Sequence, residues 1–94
     1  MYQPLGNPEE QAVINVTDVV QTVTLTRATT AIEFQNTGTN DVYFGKASTL
    51  TSDRGGIIYG NGTYKKFENL PSNWKISFIC SSGQTSTIRR IDYV

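Results

Sequence analysis

Residues 31–60, AIEFQNTGTNDVYFGKASTLTSDRGGIIYG, decide the fold. Ile32 and Phe34 alternate with Ala31 and Glu33, and Val42 and Phe44 alternate with Tyr43, so both runs have the two-residue period of a half-buried strand. Polar residues from Gln35 to Asn40 join them, and a second polar loop, Ser48 to Gly56, leads into the apolar run Ile57–Tyr59. The pattern predicts antiparallel β-hairpins, and nothing in it suggests an active site.

The rest of the chain follows the same pattern. Strands are expected at 12–16, 19–27, 31–35, 41–45, 56–60, 63–68, 73–80 and 85–93. In the second of these Val19, Val23 and Leu25 are expected on one face and Thr22, Thr24 and Thr26 on the other, with β-branched residues suited to a pleated surface. Asn61-Gly62 predicts a type I′ hairpin turn, since both central positions need positive φ. Ser81–Gln84 is expected to close a final hairpin, and Pro71-Ser72 to break the chain before it. Ile88 and Ile91 are spaced against the two-residue period, which suggests a bulge or a strand edge. Eight strands at intervals of about ten residues predict an all-β, antiparallel β-sandwich that is jelly-roll-like. Residues 1–11, with Pro4, Gly6, Pro8 and no apolar periodicity, read as an extended N-terminal arm, and 12–94 as one sandwich domain.

Composition narrows the function. Ninety-four residues with 37% hydrophobic content support one small core. Eight basic and eight acidic side chains cancel, which removes the electrostatic case for a nucleic-acid or anionic-membrane partner, so neither is expected. No apolar stretch approaches the length that crosses a bilayer, and the N-terminus lacks the basic and apolar regions of a secretion signal. Asn15-Val16-Thr17 and Asn61-Gly62-Thr63 match the glycosylation pattern by chance on that reading. Histidine is absent, which excludes Ser–His–Asp and Cys–His triads and most catalytic zinc sites. Cys80, the single cysteine, continues the Trp74, Ile76, Phe78 row and is expected to be a buried, inert thiol.

The remaining polar residues suggest no catalysis, cofactor or metal. The carboxylates are scattered, with no pair spaced for acid–base work. Asp53-Arg54-Gly55-Gly56 lacks the lysine and the following helix of a phosphate cradle, and reads as a turn opened by Asp53. Lys65-Lys66 and Arg89-Arg90, as adjacent pairs in strands, split between faces. They read as solvated charges that guard a sheet edge, with one member of each pair available to a partner. Phe34, Phe44, Trp74 and Phe78 fit the core. Tyr43, Tyr59 and Tyr64 are candidates for a protein interface, where tyrosine is enriched.

The order of these signals resembles a family of small bacteriophage virion proteins with a β-sandwich fold. The resemblance is carried by the apolar strand Ile32–Asn36, the turn Thr37–Asn40 and the strand Asp41–Gly45, of the form valine–tyrosine–aromatic–glycine. It continues through the Ser/Thr-rich loop Ala47–Arg54, Gly56-Ile57, the turn Gly60–Gly62 and the strands Thr63–Glu68, Asn73–Cys80 and Thr85–Tyr93. It spans residues 13–94. The charged KKFENLPSNWK connection and the Arg89-Arg90 pair depart from the family pattern. The resemblance implies a non-enzymatic structural protein made in the host cytoplasm and carried in the virion. Such a protein binds the major capsid protein or another virion protein as a decoration, cement or head-fibre subunit, and works as a homo-oligomer, most often a trimer. Candidate interface residues are Tyr2, Leu5, Tyr43, Tyr59, Tyr64, Arg89 and Arg90. The alternative is a carbohydrate- or receptor-binding module of a phage appendage, which would need Trp74 and a tyrosine exposed as a flat platform.

Overall fold

The computed structural model describes residues 8–46 and 50–94. Two antiparallel sheets pack face to face, and no helix occurs among the described residues. The strands are β1 (Pro8–Glu10), β2 (Ile14–Val16), β3 (Gln21–Thr24), β4 (Thr29–Asn36), β5 (Val42–Gly45), β6 (Gly56–Ile58), β7 (Tyr64–Leu70), β8 (Lys75–Ile79) and β9 (Ser86–Tyr93). The first sheet runs β1-β9-β4-β7, with β2 also paired to β9. The second runs β3-β8-β5-β6.

The all-β sandwich is as expected, but its connections are not. Asn61 and Gly62 do have positive φ (66° and 97°), yet β6 lies in the second sheet and β7 in the first. The residues at the turn donate across to the β4 end: Asn61 N–H to the Gly38 carbonyl (2.7 Å) and Gly62 N–H to the Asn36 carbonyl (2.8 Å). The expected hairpins at Gln35–Asn40 and Ser81–Gln84 are also crossings between sheets, and only β5 and β6 are consecutive strands paired with each other. Turn residues set local φ and ψ, whereas the sheet a strand joins depends on which partner lets it bury its apolar face.

The pairing is nested. β5 pairs with β6, β4 with β7, β3 with β8 and β2 with β9. The chain is therefore one long antiparallel ribbon, folded at the β5–β6 hairpin, whose rungs fall alternately in the two sheets. Contacts β4–β9 and β5–β8 close each sheet.

Eight expected strands correspond to β2–β9. The ninth, β1, comes from the stretch read as an arm: Pro8, Glu9 and Glu10 pair with Tyr93, Asp92 and Ile91. Residues 1–7 lie outside the described residues. Along the same side of β9, β2 pairs from Ile14 opposite Ile88, so Gln11–Val13 lie as three residues against Arg89 and Arg90. The expected irregularity at 88–91 is thus in the facing strand. β9 itself stays in register with β4, and the three-residue spacing sends Ile88 inward and Ile91 outward. Val19 is another departure: it lies before β3 and is 68% exposed.

Ile32, Phe34, Val42, Ile58, Phe78 and Ile88 fill the core, with Phe34 against Phe78 at a centroid distance of 5.0 Å and an edge-on angle of 67°. Beside them the polar side chain of Asn36 is fully buried. Its amide donates to the carbonyls of Asn40 (2.8 Å) and Ile58 (2.9 Å), and its Oδ1 accepts from Gly38 N–H (3.1 Å) and the Ser86 hydroxyl (2.6 Å). Every polar valence of the amide is used. Gly38 is required here, because a Cβ would collide with Ser86 Oγ.

Removing the amide leaves several buried groups without partners at once. Asn36→Ala should lower the unfolding free energy by about 3–5 kcal/mol. Ser86→Ala, which strips one bond, should cost about 1–2 kcal/mol. Urea denaturation of the three proteins measures both, and equal stabilities would refute the assignment.

Candidate interaction surface

The two outer faces of the sandwich differ in chemistry because cross-strand register assembles different residues on each. On the first sheet, Arg89, Gln35 and Tyr64 form one row, Ile91, Glu33 and Lys66 the next, and Tyr93, Ala31 and Glu68 a third. This face mixes charges of both signs. Its outer strand β7 exposes Tyr64, Lys65 and Lys66, a charged edge that resists pairing with another sheet.

The second sheet is almost free of charge. Lys75 is the one charged residue within its strands. Ile79, Tyr43 and Ile57 lie directly opposite one another across β8, β5 and β6, on the face away from the core. Ile57 is 40% exposed, and Tyr59, just past β6, is 57% exposed. A second row, Thr22, Ser77 and Gly45, is small and flat, with the Thr22 and Ser77 hydroxyls bonded at 2.9 Å. Neither edge strand of this sheet, β3 or β6, carries a charge or a proline.

The expected interface residues therefore do not form one surface. Tyr43 and Tyr59 belong to the second sheet and its edge, whereas Tyr64 and Arg89 flank Gln35 on the opposite side of the molecule. Tyr2 and Leu5 lie outside the described residues. Arg90 points inward, opposite Phe34, and forms a two-pronged ion pair with Asp92 (2.8 and 2.9 Å), its side chain only 17% exposed. It is a structural residue at the edge where β9 nears β3, beside the exposed Glu9–Arg27 pair (2.9 Å). Sequence reasoning missed Ile57 and Ile79. Adjacent Ile57 and Ile58 cannot both face inward on a strand, and that signal marks one of them as a surface residue.

Trp74 is half-buried and leans on Phe67 (centroids 5.4 Å apart), so it is not an open platform. No group of three His, Cys, Asp or Glu side chains among the described residues is placed to hold a metal ion. Cys80 is buried beside the Val16 carbonyl (3.7 Å). Burial first, then the negative charges of Asp18 and Asp41, push its pKa above the ordinary 9.0.

Comparison with known protein families, curated proteins and solved structures finds no match to this chain.

Two outcomes follow from these placements. Asp92→Ala leaves the partly buried Arg90 guanidinium unpaired and should cost about 1–3 kcal/mol, while replacing both partners with Met and Leu should cost less. Thermal melts of the single and double variants decide this. The Cys80 thiol should react with iodoacetamide only at the rate of unfolding. Because its folded pKa is raised, it adds a loss of stability as pH climbs above 9.0, where the unfolded chain ionises first. A Cys80→Ala variant should lose that component of alkaline destabilisation, as urea titrations on either side of pH 9.0 would record.

Proposed function

We propose that this chain is a non-enzymatic structural protein of a bacteriophage virion. It docks through its second sheet, first on copies of itself as a homo-oligomer, a trimer, and in that form on the capsid protein or another virion protein. The observation that carries the docking half is the uncharged row Ile79–Tyr43–Ile57, flanked by an edge strand without charge. Such a surface is a place for another protein, since burying it desolvates no ion. The virion half rests on the sequence resemblance and on the nested pairing. We read a ribbon wrapped so that its rungs alternate between two sheets as jelly-roll-like, an architecture that viral capsid domains use. This is an analogy of fold, and lectin domains share it. Many copies on a repeating lattice would turn modest contacts into firm attachment.

Light scattering over a wide concentration range tests the assembly. The mass of a trimer is expected, and Ile57→Asp should return it to one chain while Lys66→Ala leaves it intact. A single-chain mass at every concentration would overturn the oligomer, and an oligomer indifferent to Ile57→Asp would overturn the surface. Antibodies raised against the chain should label phage particles from the source culture. Labelling confined to cell material would overturn the virion reading.

A further inference from the structure

Among the described residues the second sheet ends in two open edges, β3 and β6, and the two are complementary. Leu25, one residue past β3, bonds on the β8 side: its N–H donates to the Trp74 carbonyl (2.9 Å) and its carbonyl accepts from Asn73 N–H (3.0 Å). Backbone bonding alternates along an antiparallel strand, so Val23 and Gln21 also bond to β8. Thr22 and Thr24 therefore turn their N–H and C=O groups to the open side. Carried across β8 and β5, the same alternation bonds Gly56 and Ile58 to β5 and aims the N–H and C=O of Ile57 away from the sheet. Thr22 and Ile57 both lie on the outer face, where bonded partners must lie together, so the two edges are in phase. Their directions match as well. Because β3, β8, β5 and β6 are successively antiparallel, a second copy rotated about an axis along the strands presents its β3 antiparallel to β6.

We propose, resting on the trimer reading above, that the ring closes by edge pairing: β6 of each copy pairs with β3 of the next, Ile57 opposite Thr22. Such a head-to-tail contact is the kind that closes a ring. It continues the row Ile79–Tyr43–Ile57 into the small row Thr22–Ser77–Gly45 of the neighbour, with no charge in either. Charge in the edge strands of the first sheet favours this contact over a two-fold one. β1, on the β3 side, carries Glu9 and Glu10, the first also paired with Arg27. β7, packed over β5, carries Lys65 and Lys66 against the single Glu68. Joining β6 to β3 brings these edges toward each other with opposite net sign, whereas joining β3 to β3 sets glutamates against glutamates.

Proline separates the edge from the fold. The Thr22 N–H faces away from β8, so Thr22→Pro removes the edge donor and spares the β3–β8 ladder. Thr22→Val is its control, since it also loses the Ser77 bond but keeps the N–H. By light scattering Thr22→Val should keep the trimer mass and Thr22→Pro should give single chains, both folded by circular dichroism. Amide hydrogen exchange is the second measurement and does not depend on the proline variant folding. The Thr22 amide should exchange at least about tenfold more slowly in the unmutated trimer than in the Ile57→Asp protein. A trimer that survives Thr22→Pro, or whose Thr22 amide exchanges as fast as in Ile57→Asp, overturns the edge pairing and leaves the trimer reading standing. A single-chain mass for the unmutated protein overturns both.

Discussion

The side chain of Asn36 is the constraint around which the rest of the sandwich is arranged. It sits at the end of β4, where the chain leaves the first sheet, and it binds the carbonyl of Ile58 at the end of β6 and the hydroxyl of Ser86 at the start of β9. Three distant parts of the chain meet on one amide with no valence left over. A partly satisfied amide in this place would be worse than an apolar side chain, so the geometry admits one arrangement of the three segments. Backbone bonds extend it: Asn36 accepts from Gly62 and donates to the carbonyl of Thr63, the residue that leads into β7 beside β4. The crossing at Gly60–Gly62 is thereby directed to the first sheet and cannot fold back on β6.

With the wrap set, the surface divides by sheet. Apart from the inward Arg90–Asp92 pair, the charges of β4, β7 and β9 gather on one side of the molecule, and the near-neutral strands β3, β5, β6 and β8 form the other. Lysines on β7 and a bulge between β1 and β2 blunt the edges of the charged sheet. The neutral sheet has no such devices, and it alone presents Tyr43 between two isoleucines. Protection on one side and its absence on the other give the molecule a direction in which to associate.

The same partition explains what a linear reading of the candidate site could reach. Tyr43, Tyr59 and Tyr64 are alike in the sequence, each in a short strand or beside one. They separate only because the chain changes sheet between Tyr59 and Tyr64. Arg89 and Arg90 are equivalent too, until register with Phe34 turns Arg90 inward to Asp92 and leaves Arg89 beside Gln35. A two-residue period says that adjacent side chains face opposite ways. It does not say which way is out.

By itself the sequence determined the strands, their approximate positions, the turn residues with positive φ at Asn61 and Gly62, the aromatic core of Phe34 and Phe78, and the buried thiol of Cys80. These depend on local φ and ψ preferences and on the alternation of apolar side chains, which neighbouring residues carry between them. Tertiary structure alone decided that three of the expected hairpins, all but β5–β6, were crossings, that β1 joins the sheet, and that Ile57 and Ile79 complete a surface with Tyr43. The physical reason is that strand pairing is a contact between residues far apart in the chain. Its partner is chosen by which arrangement buries every apolar face and satisfies every buried polar group together, and the amide of Asn36 is satisfied in only one.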